Sequence, residues 1–226
     1  MRFAEVSGSR ARETGALKLA VPRGALLAGT LDLLDRIGVD TTEVRGESRS
    51  LVFAVGDLIL VTMRPSDVPT YVEAGAADLG ITGKDVLLEQ SDRAVYELLD
   101  LHYGACRMVL AGRKGDESLG EAERRLGSIR IATKYPRIAT RYFETSGRQA
   151  EVVEVKGSVE LAPLVGLADG IVDLVDTGRT LDENALEVRE EIARCTARLV
   201  ANRVAHKLRA AELDALAERM KQAAPA

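Results

Sequence analysis

Asp169-Gly170-Ile171-Val172-Asp173-Leu174-Val175-Asp176-Thr177-Gly178-Arg179-Thr180-Leu181 is the stretch from which the rest of the chain is read. Ile171 to Val175 is short, largely β-branched, broken only by Asp173 and preceded by a glycine, so it reads as a buried strand of a parallel sheet. The strand stops at Asp176-Thr177-Gly178-Arg179-Thr180, a run holding a carboxylate, two hydroxyls, a glycine and a guanidinium. Helical spacing is read from Leu181 to Leu199. A strand, a hydroxyl- and glycine-bearing loop and a helix start bring unpaired backbone N–H groups together, and such a place binds anions, phosphate above all. The same residues also fit an ordinary strand-to-helix turn with Thr180 as N-cap.

Two familiar phosphate loops are excluded by spacing. No Gly-x-x-x-x-Gly-Lys-Ser/Thr occurs, and no Gly-x-Gly-x-x-Gly opens a helix. A carboxylate immediately before the anion loop suits a ligand with a phosphate beside a vicinal diol, as in a ribose 5-phosphate.

The surrounding chain bounds this reading. Its 226 residues can bury the core of one large α/β domain or two small ones. Hydrophobic residues at 46% and charged residues at 29% exclude wholesale disorder. With 31 basic residues against 35 acidic, net charge −4, there is no electrostatic case for nucleic acid, so anion binding must come from local arrangement. Cys106 and Cys195 are too few and too distant in sequence for a disulfide scaffold or a zinc ribbon and read as buried small hydrophobes. The first 15 residues are polar and lack the apolar core of a signal peptide, and no run of 18 apolar residues occurs, which predicts a cytoplasmic protein.

Along the chain, strands are expected at Leu17 to Val21, Leu51 to Val55, Asp57 to Val61, Val95 to Leu101, Cys106 to Ala111, Ile129 to Thr133 and Glu151 to Val155. Helices are expected at Ala25 to Ile37, Asp67 to Glu73 capped by Asp67 or Ser66, Lys84 to Glu89, Leu119 to Leu126 and Pro136 to Ser146. Two more are expected at Gly157 to Val165, capped by Ser158, and at Ala210 to Ala223. Leu199 to Val204 reads as a strand returning to the first lobe. Gly75-Ala-Ala-Asp78-Leu79-Gly80-Ile81-Thr82-Gly83 echoes Gly170-Ile-Val-Asp173-Leu174-Val175-Asp176-Thr177-Gly178, which points to a duplicated α/β architecture. In that alignment Asp78 and Asp173 share a structural job, while Asp176, opposite Ile81, is left for ribose hydroxyls. Residues 173 and 176 of an extended chain point to opposite faces.

Glu160, Gly166, Ala168, Ile171, Asp173, Leu174, Thr177, Gly178, Thr180 and Leu181 match every fixed position of a known signature. It reads Glu-x5-Gly-x-small-x2-Ile/Val-x-Asp-aliphatic-x2-Ser/Thr-Gly-x-Thr-Leu/Met. With Lys18 to Gly24, Ser48-Arg49, Arg64 to Val72, Asp78 to Glu89 and Ala132 to Pro136, the chain resembles the ATP phosphoribosyltransferase family over nearly its whole length.

The resemblance implies an α/β, two-lobed periplasmic-binding-protein-like (type II) fold with the active site in the inter-lobe cleft. Lobe I is expected at residues 1–106 plus about 187–226, and lobe II at 107–186. The chain looks like the short form, without a C-terminal regulatory domain. That form relies on a partner resembling a catalytically inactive histidyl-tRNA synthetase, in a homo-oligomer within a hetero-oligomer.

The implied reaction joins N1 of the adenine of ATP to C1 of phosphoribosyl diphosphate and releases diphosphate, opening L-histidine biosynthesis. Arg49, Arg23 and Arg64 are the expected catalytic cations. Glu160, Asp173, Asp176, Thr177, Gly178, Arg179, Thr180 and Leu181 are expected to bind phosphoribosyl diphosphate. Gly24, Thr82, Gly83 and Lys84 are expected at the ATP or the diphosphate. Magnesium is expected to arrive on the substrate, with no dedicated metal site. Ala25 stands where the family usually has a second cation after the first strand, which leaves that loop's role open, as are the roles of Lys84 and His102. The competing readings are a non-enzymatic small-anion or effector-binding module of the same fold, and a regulatory paralogue with a dead site.

Overall fold

Leu17–Pro22 (β1) has no solvent face: Leu19, Ala20 and Val21 are fully buried, and a strand apolar on both sides belongs in the middle of a covered sheet. The computed structural model describes residues 15–46, 49–115, 120 and 127–225. The polar start, Ser48 and, apart from Gly120, the helix expected at Leu119 to Leu126 lie outside the described residues.

β1 is flanked in parallel by Leu58–Met63 (β3) and Leu79–Gly83 (β4). Val52–Val55 (β2) pairs antiparallel with β3, Ala197–Asn202 (β11) antiparallel with β4, and Val95–Asp100 (β5) antiparallel with β11. The order is β2-β3-β1-β4-β11-β5. One face packs Leu19, Leu60 and Leu79 against Leu31 and Leu34 of Leu27–Arg36 (α1) and Leu213 and Met220 of Ala210–Ala223 (α9). The other buries Ala20 and Val200 under Val68 and Val72 of Val68–Glu73 (α3). Short helices at Thr42–Arg45 (α2), Lys84–Glu89 (α4) and Arg203–Leu208 (α8) complete this part of the chain. No side-chain cap from Asp67 starts α3; a 3-10 turn at Pro65–Asp67 leads into it instead.

The second sheet has the order β10-β6-β9-β7-β8. Ile129–Thr133 (β7) lies between Ala150–Glu154 (β8) and Gly170–Val175 (β9), parallel to both. Cys106–Arg113 (β6) pairs antiparallel with β9, and Leu186–Cys195 (β10) antiparallel with β6. The run at Ile171 is thus parallel to one neighbour and antiparallel to the other. Pro136–Thr145 (α5) covers one face through Ile138, Ala139 and Phe143. Leu161–Leu164 (α6) and Arg179–Glu183 (α7) cover the other through Ala162 and Leu181.

The chain forms two units. The first takes in residues to Leu87, Ser91–Gly104 and those from Thr196 on; the second takes in Leu88–Gln90 and Ala105–Cys195. The return therefore falls at Thr196 and not near residue 187, because the helix expected from Leu181 to Leu199 stops at Glu183 and Leu186–Cys195 forms β10 instead. Glu187, Arg189, Glu190 and Glu191 are good helix formers, but ladder pairing with β6 overrides that propensity. The resulting edge strand carries charge, with Arg148 Nη1 2.7 Å from Glu190 and Arg107 Nη1 3.5 Å from Glu191, which discourages edge-to-edge pairing. The helix expected from Gly157 shrinks to α6. Ser158 has φ +48 and cannot serve as an extended N-cap, and Glu160 stands at that position.

Candidate functional site

Alternation along β9 puts Ile171, Asp173 and Val175 on one face. Ile171 and Val175 pack with Val159, Ala162, Leu181 and Leu186, so Asp173 is committed to an apolar face, its side chain 14% exposed. Burial pushes its carboxyl above the usual carboxylate range. The Lys134 ammonium, Nζ 3.8 Å from Oδ1, and the Leu174 N–H, which donates to Oδ1 at 2.8 Å, oppose the rise, and the Glu160 charge adds to it. Beyond Val175 the chain emerges at Asp176 and Thr177, turns at Gly178 with φ +85 and ψ −5, and enters α7, whose middle residue, Leu181, is buried.

Glu160 and the unbroken run Asp173 to Leu181 line a cavity of about 120 Å3. All eight residues expected to bind phosphoribosyl diphosphate line this one concavity. Both Asp173 and Asp176 do so: Asp176 lies past the strand, in the turn, where strand alternation no longer separates it from Asp173.

The turn is not capped by Thr180. Gly178 holds the N-cap position without a side chain, and the Arg179 N–H reaches Thr177 Oγ1 only at 3.5 Å. The left-handed backbone at Gly178 suits a residue without a Cβ. Since α7 spans five residues, its contribution is its unpaired first N–H groups and not a sizeable dipole. Arg179 Nε lies 2.7 Å from Glu183, an exposed pair weak enough to exchange for an anion.

The internal echo is real, but its register differs from the one read by residue identity. The Asp78 N–H donates to the Lys18 carbonyl and its carboxylate accepts from the Lys18 N–H at 2.8 Å. The Asp169 N–H donates to the Arg130 carbonyl and its carboxylate accepts from the Arg130 N–H at 2.7 Å. Gly75 and Gly166, at φ +72 and +75, precede these aspartates by the same spacing, and the two sheets build the parallel trios β3-β1-β4 and β8-β7-β9, with an antiparallel strand beside β4 in one and beside β9 in the other. Asp78 therefore corresponds to Asp169. Asp173 corresponds to Thr82 and is not the shared scaffold residue.

Lys134 is the residue that sequence reading passed over. Thr133 is in register with Val172, so Lys134 emerges opposite Asp173, its ammonium 5.2 Å from the Tyr135 ring. The signal lay in its place immediately after a strand.

On the first unit, register gathers the remaining candidates at one edge. Pro22 pairs with Met63, so Arg23 and Arg64 each follow the end of neighbouring parallel strands; the Arg23 N–H donates to the Met63 carbonyl at 2.7 Å. The Thr62 N–H donates to the Leu51 carbonyl, which brings Arg49 to the same edge. Gly24 follows Arg23, and Thr82 and Gly83 end β4 beside them. Thr82 is fully buried, its hydroxyl donating to the Pro65 carbonyl at 2.8 Å. Arg23, Arg49 and Arg64 are exposed and have no carboxylate within 4.0 Å among the described residues. Lys84 differs: its ammonium lies 2.7 Å from Glu97, which also pairs with Arg198, so it is engaged in the fold. His102 sits in a left-handed turn, its N–H donating to Asp100. Among the described residues no three His, Cys, Asp or Glu side chains gather to hold a metal ion, and no helix is long and apolar enough to cross a membrane.

Residues 64–222 match the family model of ATP phosphoribosyltransferase. An ATP phosphoribosyltransferase of Rubrobacter xylanophilus is 53% identical over 203 residues, covering 88% of this chain and 93% of the relative. A solved ATP phosphoribosyl transferase (HisG:HisZ) complex from Thermotoga maritima contains a chain 37% identical, with TM-score 0.76, covering 92% of this chain and 98% of that one. The periplasmic aliphatic sulphonate binding protein SsuA of Escherichia coli, 12% identical with TM-score 0.59 over 92% of this chain and 72% of its own, shares the two-lobed type II fold alone.

Proposed function

The chain belongs to the ATP phosphoribosyltransferase family, and we propose that the cavity between Glu160 and the Asp173–Leu181 run is where it holds phosphoribosyl diphosphate. The enzyme transfers a phosphoribosyl group to N1 of ATP with release of diphosphate, the first step of histidine biosynthesis. The observation that carries the assignment is the junction of a largely buried carboxyl group with an exposed hydroxyl- and N–H-bearing turn in one concavity.

In this reading the turn from Thr177 to Leu181 receives the 5-phosphate through the Thr177 and Thr180 hydroxyls and the N–H groups that open α7. Asp176 accepts from the ribose hydroxyls. Asp173, poised between burial and Lys134, accepts from the same diol or meets charge developing on the ring. Arg23, Arg49 and Arg64 take the diphosphate or triphosphate. The chemical step breaks the bond from C1 to diphosphate oxygen and makes the bond to adenine N1, leaving negative charge on diphosphate. Diphosphate is a good leaving group, so catalysis is alignment of two polyanions and stabilisation of that charge, without a covalent nucleophile. Magnesium would enter as part of the diphosphate substrate, where it would offset the charge of the phosphates, and no residue of this chain is assigned to hold it.

The likeness to the Thermotoga complex supports a separate partner subunit; in this reading, following the family resemblance, that subunit is regulatory and resembles histidyl-tRNA synthetase, and this chain is a homo-oligomer inside the hetero-oligomer. The cytoplasm, where ATP and phosphoribosyl diphosphate are made, is the setting this reading assigns. The test follows diphosphate and phosphoribosyl-ATP formation by the purified chain, alone and with that subunit. Product in either arm is the expected result; none in both would replace the enzyme with a binding module.

A further inference from the structure

Cys106 opens β6 and Cys195 closes β10, and although far apart in sequence they are direct register partners. The pairing runs without interruption through Ala193↔Met108, Arg194↔Arg107 and Cys195↔Cys106, the nearest irregularity lying beyond Ala193. Directly opposite residues of an antiparallel pair share a face, with Cα atoms about 4.5–5.5 Å apart. Two cysteines close a disulfide over roughly 4.4–6.8 Å between Cα atoms, so little backbone movement is needed. Both residues are thiols in the structure, and their exposure is unequal: Cys195 is buried at 1%, while Cys106 is partly accessible. Neither lines the cavity or the arginine-bearing edge, so the transfer chemistry leaves both unused.

We propose that Cys106 and Cys195 form a peroxide-oxidisable pair whose disulfide staples β6 to β10. The accessible Cys106 sulfur, as thiolate, attacks a peroxide oxygen; the O–O bond breaks, water leaves after proton uptake, and Cys106 becomes a sulfenic acid. The Cys195 sulfur then attacks the Cys106 sulfur, the S–O bond breaks, and a second water leaves as the S–S bond forms. Two thiols and one hydrogen peroxide give one disulfide and two waters. In a reducing compartment such a bond is transient and redox-sensing. Its placement gives it a structural effect: Ala105 and Cys195 are the residues at which the chain enters and leaves the longer segment of the second unit, so the bond ties that segment's two ends together.

The test treats the full chain with hydrogen peroxide, alkylates the remaining thiols and maps unreduced peptides. A peptide linking Cys106 to Cys195 is expected, with loss of both alkylatable thiols, reversal by dithiothreitol, and slower amide exchange at residues 105–107 and 194–196. Cys106→Ala should leave Cys195 alkylatable, and Cys195→Ala should leave a Cys106 sulfenic acid that dimedone traps. If Cys195→Ala fails to fold, Cys106→Ala at the accessible strand end carries the control alone. Sulfinic acid without a crosslink, crosslinks only between chains, or unchanged exchange in the oxidised protein would each overturn the proposal.

Discussion

Gly178 is the residue at which the proposed phosphate turn is most directly tested. Its φ of +85 and ψ of −5 are left-handed, and a Cβ added there would meet nothing closer than Val175 Cγ1 at 3.9 Å. Replacement by alanine is therefore a pure backbone perturbation of about 1–2 kcal/mol, with no clash to confuse it. Gly147, at φ +69 with nothing within 4 Å of an added Cβ, offers the same backbone cost away from the cavity. The two should distribute that cost differently. Gly147 follows α5, where the Gly147 and Arg148 N–H groups are bonded back to Glu144 and Phe143, so strain stays in the fold and appears as lost stability. The exposed turn around Gly178 relaxes toward ordinary backbone and must be re-formed when phosphate binds, so its cost appears in affinity. At about 1.4 kcal/mol per decade, Gly178→Ala should weaken phosphoribosyl diphosphate binding about 5- to 30-fold. Gly147→Ala should bind normally and melt earlier. Calorimetric titration with the magnesium-bearing ligand and urea melts separate the two. Gly178→Val, in which a β-branched residue cannot hold that backbone, is the stricter case. A folded valine variant with unchanged affinity would refute the reasoning.

Other outcomes follow from the same geometry. The Asp173 carboxyl is held above its ordinary range, so its contribution to stability is full below the unfolded carboxylate range and is lost as pH rises through its folded pKa. Asp173→Asn should gain stability relative to the parent as pH climbs from about 4 toward neutrality while losing phosphoribosyl diphosphate affinity; urea midpoints at acid and neutral pH, with calorimetric binding, check both. Arg49→Ala and Arg64→Ala remove exposed side chains without carboxylate partners, so they should leave the urea midpoint within about 0.5 kcal/mol while cutting the rate of diphosphate release. Lys84→Ala breaks the partly exposed pair with Glu97 and should do the reverse, costing at most about 1 kcal/mol and leaving diphosphate release intact.

What was legible in the sequence was what local chemistry decides. The run at Ile171 had to be a buried strand, and the hydroxyls and glycine after it had to be a turn, because no distant residue is needed to set either. Leu186 to Cys195 was illegible for the opposite reason: its glutamates and arginines favour a helix, and only the ladder with β6, some eighty residues earlier, makes it a strand. The Glu97 carboxylate 2.7 Å from the Lys84 ammonium was likewise illegible, because the two residues meet only in the folded chain. The two cysteines looked unrelated until strand register set them opposite one another.

Asp173 is the residue that matching by identity misplaces, because pairing Gly75 with Gly170 and Gly83 with Gly178 sets it opposite Asp78. Aligned on Asp78 and Asp169, the two units agree through the strand and then part. β4 stops at Gly83 and α4 begins at the next residue, and Thr82 spends its hydroxyl inward on the Pro65 carbonyl. In the second unit β9 runs on to Val175, Asp176 to Gly178 intervene before α7, and a carboxylate stands where Thr82 stood. The longer strand and the interposed turn line the cavity, and the Thr-to-Asp difference gives it a largely buried acceptor. The site is thus the place where one duplicated connection departs from the other, and shortening Asp176–Gly178 should abolish ligand binding while the Asp169 scaffold and its sheet persist.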